Sequence, residues 1–202
     1  MTIRKGGGYG YERTGATVVP EASTDAELGA LVSDAIRSGQ QRPVIRVTGG
    51  DLFRTLGGQA NLERTDGAQL ELPIDLARCL LDGVEYLFVS HLVARRRFWS
   101  GRFVAVMNAE WLGSLDLGVR SHPGDGILDI TEGRLSLRDR FVARRRARTG
   151  THLPHPGLRT SRSAVYETTF DPPVAVRLDG VPCGRVRTMT IHVEPDAFVV
   201  LI

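Results

Sequence analysis

Apolar residues recur along this chain in two rhythms. From Thr24 onward they fall on one helical face: Leu28, Leu31, Val32, Ala35 and Ile36 occupy positions i, i+3, i+4, i+7 and i+8, the spacing of an amphipathic helix. Thr24 and Glu27 form a capping box at its start, and Gly39 stops it. Val44 to Val47 is a short apolar run of strand type, and Ala16 to Val19, closed by Pro20, reads as another. Strand, helix and strand in that order predict one parallel α/β unit. The turn at Gly49 and Gly50 then opens a second, short helix with Asp51 as its N-cap. Gln59 to Gly67 is polar and reads as a connector.

From Gln69 the rhythm changes to alternation. Gln69 to Leu76 alternates, Asp82-Gly83 is a two-residue hairpin turn, and Tyr86 to Val89 returns. Further strands are predicted at Arg102 to Met107, Ile127 to Ile130, Ala164 to Phe170 and Val174 to Leu178. Asp179-Gly180 turns a second hairpin into Gly184 to Thr188 and Met189 to Val193. Pro195-Asp196 then turns the chain into a last strand, Ala197 to Ile202. Among these strands, Ser136 and Asp139 start a short helix whose C-terminal end carries Arg144 to Arg148, where the helix dipole favours cations. The fold class expected is α+β: a small truncated α/β layer over residues 1–68, then an antiparallel β-sandwich over residues 69–202.

Composition sharpens this picture in two places. The 202 residues carry a net charge of +3 with a pI near 9.2, and Lys5 is the sole lysine, so the basic residues are arginines. Guanidinium groups bind carboxylate and phosphate bidentately, which suits an anionic ligand or simply a solvated surface. Arg95, Arg96 and Arg97 beside Phe98 and Trp99 suit peripheral contact with an anionic membrane, or a solvated edge with Trp99 turned inward. Nucleic acid is not the expected partner. Cys79 and Cys183 are too few for a disulfide framework, so a reducing cytoplasm is the expected compartment. No stretch approaches the ~18 apolar residues of a membrane span.

Candidate chemistry centres on His122 to Ile130. A Pro-Gly turn there precedes a strand, and Asp125 and Asp129 stand four residues apart. Two carboxylates on such a corner suit a hard cation held through oxygen, or the capping of the turn's own amides. His152 and His155 flank a proline without a third ligand at matching spacing, which argues against zinc. His91, His122 and His192 are dispersed and read as structural. Lys5 with its following glycines lacks the Gly-Lys-Ser/Thr order of a P-loop.

Taken in order, several pieces form a larger pattern: Thr48-Gly49-Gly50-Asp51 with Arg54, Leu56 and Gly57; Asn108; Pro123 with Asp125, Gly126 and Asp129; Gly150 with His152; and Asp179-Gly180. This order resembles the diacylglycerol kinase family of lipid kinases, most closely its C-terminal domain. The resemblance implies that Asp179 is the general base toward the lipid hydroxyl and that Thr48, Gly49, Gly50 and Asp51 lie beside the nucleotide. It also implies that Asp125 and Asp129 hold a structural Mg²⁺. Lys5 and its glycines would have to stand in for the family's glycine loop. That loop falls here on Pro20 to Thr24, where proline has no N–H to donate and Glu21 repels phosphate. The family's first strand–helix units and its helical insertion are also missing, and Val181 replaces the Glu that follows the catalytic Asp-Gly.

Three readings follow. The leading one is a degenerate lipid-kinase-like protein that binds a lipid or anionic headgroup without phosphoryl transfer, with ATP not expected to bind. The second is an active ATP- and Mg²⁺-dependent lipid kinase. The third is an interaction module that pairs with a separate chain or forms a homodimer.

Overall fold

The computed structural model describes residues 9–13, 18–58 and 69–202. Lys5 with its glycines, and the connector from Gln59, lie outside the described residues. The parallel unit forms as its sequence dictates, with one shift. Val18 and Val19 are not in a strand; the first strand of the unit is β2, Glu21–Ala22, while β1 is Tyr11–Arg13. Pairing starts at Pro20, whose carbonyl accepts the Arg46 N–H at 2.8 Å, so the proline opens the strand instead of closing it.

Helix α1, Asp25–Arg37, follows, and β3, Val44–Val47, returns parallel to β2. The Thr24 hydroxyl accepts the Glu27 N–H at 3.2 Å, as the capping box requires. The Glu27 carboxylate reaches one residue further back than expected and takes the Ser23 N–H at 2.8 Å. Helix α2 is Gly50–Thr55. Its N-cap is Gly49, so Asp51 sits in the first turn with its carboxylate free to bond elsewhere.

The rest is antiparallel sheet. Strands β4 (Gln69–Leu81) and β5 (Val84–Phe88) form the expected hairpin, with Asp82 and Gly83 at φ 48° and 85°, the left-handed pair a two-residue turn needs. Next come β6 (His91–Arg95), β7 (Arg102–Met107), the small hairpin β8–β9 (Trp111–Leu112 and Leu115–Asp116) and β10 (Leu128–Arg134). Helix α3, Leu137–Arg146, is capped by Ser136, which accepts the Asp139 N–H. Strands β11 (Leu158–Ser163), β12 (Val165–Leu178) and β13 (Val181–Leu201) complete the chain.

The antiparallel layer and the α/β unit share one sheet of eleven strands, ordered β1-β4-β13-β12-β6-β7-β10-β11, with β5, β2 and β3 joined at its flanks. The parallel pairing of β3 with the end of β13 makes that join: Val44 lies opposite Val199. Two apolar cores result. One lies beneath α1 and α2, where Leu28, Val32, Leu52 and Phe53 meet Leu72, Ile74 and Phe198. The other fills the antiparallel sheet with Phe88, Leu92, Val106, Ile130 and Ile191.

Pro195-Asp196 is not a turn. β13 continues through it as a bulge, because β4 pairs with it on both sides, Glu194 with Leu76 and Phe198 with Ile74. Asp196 takes φ 53° and aims its N–H at Asp75, whose carboxylate accepts it at 3.0 Å. The same buried carboxylate accepts the Gly126 N–H at 2.6 Å and so ties the β13 bulge to the turn before β10. Burial pushes the Asp75 carboxyl from its ordinary 3.8 up to about 6. The fold therefore prefers neutral Asp75, and its penalty on stability, present above pH 6, is relieved as pH falls toward 4. Urea unfolding midpoints should rise between pH 7.5 and pH 5. Asp75→Asn should remove a substantial part of that rise; a variant with the full wild-type slope would refute the assignment.

Candidate functional site

The start of α2, the loop before β6 and the β12–β13 turn converge on one buried junction. Asp179 occupies the first position of the two-residue turn at φ 48°, a conformation that aspartate tolerates better than most residues. Its carboxylate points inward and accepts three consecutive backbone N–H groups, from Val89, Ser90 and His91, at 2.9, 2.8 and 3.0 Å. Its own N–H donates to the His91 carbonyl at 2.9 Å. Burial drives its carboxyl up to about 7, against the pull of those three amides.

Asp25, in the first turn of α1, faces the same junction. Its two oxygens accept the N–H groups of Asp51 and Leu52 at 2.7 and 2.9 Å, so the amides at the start of α2 are committed to a carboxylate of the chain. Burial raises the Asp25 carboxyl as well. The turn before α2 is close-packed: a Cβ at Gly49 would stand 2.4 Å from the Ser23 carbonyl oxygen, and one at Gly50 2.9 Å from Asp25. Ser23 in turn donates its N–H and hydroxyl to Glu27. The residues the resemblance assigns to the nucleotide, Thr48 to Asp51, thus form a close-packed turn in which the Thr48 and Asp51 amides are already taken by acceptors of the chain. Asp51 and Leu52 therefore have no free N–H to offer a phosphate.

The His91 ring completes the junction. Its Nε2 lies 3.9 Å from Asp51 Oδ2 and its Nδ1 3.8 Å from Asp179 Oδ1, both beyond hydrogen-bond reach. Asp51 Oδ2 accepts the N–H of Gly113 at 2.8 Å and so anchors the β8–β9 hairpin. Arg54 secures the same hairpin, lying 3.3 Å over the Trp111 ring and donating to the Gly113 carbonyl at 3.1 Å.

At its far end that hairpin walls a second feature, a cavity of about 480 Å³ between α3, the turn at Arg97–Trp99 and one face of the sheet. Its walls include Trp99, Phe103, Leu117, Leu135, Phe141 and Leu158, and arginines 97, 140 and 144 line it from the solvent side. Trp99 packs edge-on against Phe103 with ring centroids 4.9 Å apart, the inward placement expected for it, while Phe98 is 69% exposed. His152, only 3% exposed, also lines the cavity, and neither of its ring nitrogens has a hydrogen-bond partner. Burial lowers its basicity, with the Asp116 carboxylate opposing.

Strand register relates the two features. Val93, Ala105 and Thr131 stand side by side, as do His91, Met107 and Asp129. Alternation puts both rows on one sheet face, two residues or about 7 Å apart. Ala105 and Thr131 line the cavity, so His91 is one pleat step from it.

The acidic corner lies further along the same row, with Asp129 separated from His91 by Met107. Asp125 and Asp129 are bridged by Arg162, which bonds Asp125 through one terminal nitrogen and Asp129 through Nε at 2.9 Å. Ile127 N–H also caps Asp125 at 3.1 Å, and Ser121 donates to Asp129. A Mg²⁺ expected there would have to displace a guanidinium. Sequence reasoning missed Asp25 and His91: the first reads as an ordinary first-turn acid and the second as a dispersed histidine, while His152 entered only beside Gly150 and His155, with no sign of the cavity it lines.

No family model and no curated protein matches this sequence. Solved structures do. A protein of Bacillus anthracis str. Sterne, provisionally described as a diacylglycerol kinase, superposes with a TM-score of 0.55 at 13% identity, covering 79% of this chain and 69% of its own. A second structure from that organism, described as a diacylglycerol kinase, gives 0.52 at 15% identity over 79% and 66%. The fold is therefore similar to that of these diacylglycerol-kinase structures. The chain spans about two thirds of the length of these structures. No helix among the described residues is long and apolar enough to cross a membrane.

Proposed function

We propose that this protein is a lipid-kinase-like binder of anionic amphiphiles that does not transfer phosphate. The cavity carries this reading. Its volume of about 480 Å³ falls within the ~300–1,000 Å³ of pockets that enclose small ligands. Apolar walls behind a row of arginines match an acyl chain with an anionic head. Phe98, Leu137 and Phe141, all more than two-thirds exposed near the mouth, would meet the lipid surface from which the ligand enters. The amides of Asp51 and Leu52, committed to Asp25, support the absence of nucleotide binding.

The kinase reading retains one observation in its favour: Asp179, with its carboxyl raised to about 7, is poised to take a proton near neutral pH. In it Asp179 would act as base, Asp51 and Asp25 would hold Mg²⁺ to neutralise developing phosphate charge, and the cavity would orient the lipid.

Thermal unfolding separates the two. Phosphatidic acid or a long-chain fatty acid should raise the melting temperature by several degrees, whereas Mg-ATP should leave it unchanged. A shift with Mg-ATP, or ATP-dependent phosphorylation of diacylglycerol in mixed vesicles, would overturn the binder reading. Arg97→Ala combined with Arg144→Ala removes two cations and should weaken fatty-acid binding about tenfold at low salt, with a smaller effect in 0.5 M NaCl. Equal loss at both ionic strengths would place the anionic head elsewhere.

A further inference from the structure

We propose that Asp25, Asp51 and His91 form a site for one divalent metal ion of the borderline class that accepts imidazole and carboxylate together, such as Mn²⁺, Co²⁺ or Zn²⁺. The site lies beside the cavity and is independent of the amphiphile reading. One potential donor atom from each of the three residues lies within 4.8 Å of the others. Ligand atoms at ~2.1 Å from a shared ion stand about 3–4 Å apart, so shifts of an ångström or less close the set.

Two independent observations point to an ion. The first is charge. Asp25, Asp51 and Asp179 bring three carboxylates to one junction, Asp25 and Asp179 both buried, and none of the three pairs with an arginine or lysine among the described residues. Buried carboxylates without a counter-ion are stabilised either by taking up a proton or by a bound cation. The second is the His91 ring. It is 4% exposed, its Nδ1 is buried without a hydrogen-bond partner, and its Nε2 stands 3.9 Å from the Asp51 carboxylate, beyond hydrogen-bond reach. A buried imidazole normally satisfies at least one nitrogen.

The gap to Asp179 assigns the two nitrogens their roles. Nε2, facing Asp51, is the ligand atom. Nδ1, 3.8 Å from Asp179 Oδ1, carries the proton and donates it to that carboxylate once the ring moves onto the metal. A carboxylate behind a ligating histidine fixes its tautomer and raises its donor strength. Asp179 is thus a positioning residue. Imidazole among the donors disfavours Mg²⁺ and Ca²⁺, which prefer an all-oxygen set. Three protein ligands leave positions open to water or to a ligand oxygen.

The test uses the full chain after chelator treatment and dialysis. Titration with MnCl₂, followed by the loss of the free Mn²⁺ electron paramagnetic resonance signal, should show one equivalent bound at micromolar concentration. CaCl₂ should compete at least tenfold more weakly. The bound ion should show nitrogen coupling from one imidazole in pulsed measurements on the wild-type protein, a readout that needs no variant. Asp51→Asn and His91→Gln should each weaken binding at least tenfold, and His91→Gln should abolish the nitrogen coupling. Asp129→Asn, on the same row but with Met107 between it and His91, should change neither. Oxygen-only coordination, binding no tighter than that of Ca²⁺, or affinity unchanged in His91→Gln would overturn the proposal.

Discussion

Asp179→Ala should lower the free energy of unfolding by about 4 kcal/mol or more, since each buried N–H left without an acceptor costs ~1–3 kcal/mol. Three such groups, on Val89, Ser90 and His91, lose their partner together. Alanine at φ 48° adds backbone strain of ~1–2 kcal/mol. The sum is a large fraction of the ~5–15 kcal/mol that holds a domain together. Asp179→Asn keeps one accepting oxygen and tolerates the same backbone, so its loss should be less than half as large. Urea unfolding of the two variants checks this, and an alanine variant within 1 kcal/mol of wild type would show that these bonds do not organise the β5–β6 loop. The comparison bears on function as well. If Asp179 is chiefly a structural acceptor, its presence in an Asp-Gly pair does not make it a base.

Filling the cavity should have the largest effect on binding. Ala143 lines it from α3 and is only half-buried, so a larger side chain enters the cavity without disturbing either core. An indole there would displace about four methylenes of a bound chain at ~0.8 kcal/mol each. That corresponds to a loss of about 3 kcal/mol, or roughly a hundredfold in affinity. Ala143→Trp should therefore nearly abolish fatty-acid binding while its melting temperature without ligand stays within a few degrees of wild type. Fluorescent fatty-acid displacement provides the measurement. Retained affinity would move the amphiphile to another surface.

Much of the architecture was legible because it is encoded locally. Thr24 and Glu27 mark the start of α1, and Asp82-Gly83 and Asp179-Gly180 mark the hairpins. Each signal spans a few residues and needs no tertiary knowledge. The bulge at Pro195 was misread as a turn for the same reason: the local signal is identical, and only pairing with β4 on both sides keeps the strand running.

The site was less legible because its contacts are distant in sequence. Asp25 bonds amides 26 and 27 positions away, and Asp179 bonds amides about 90 positions away. His91 reaches the junction only through the ladder that sets it opposite Met107. The cavity was invisible for a different reason. Leu137 and Phe141 are exposed and α3 is dominated by arginine, so no apolar face announces it. The wall opposite α3 depends on Phe98 and Trp99 taking left-handed backbone angles of 54° and 56°.

The bridge at Asp125, Arg162 and Asp129 has a practical consequence. Its positive partner is covalently tethered to β11 and keeps its proton throughout the range in which proteins are handled. Dialysis against EDTA cannot strip this corner, and adding magnesium need not restore it. Stripping and reloading experiments on this protein will therefore report on the histidine-containing junction, with the corner as a built-in constant.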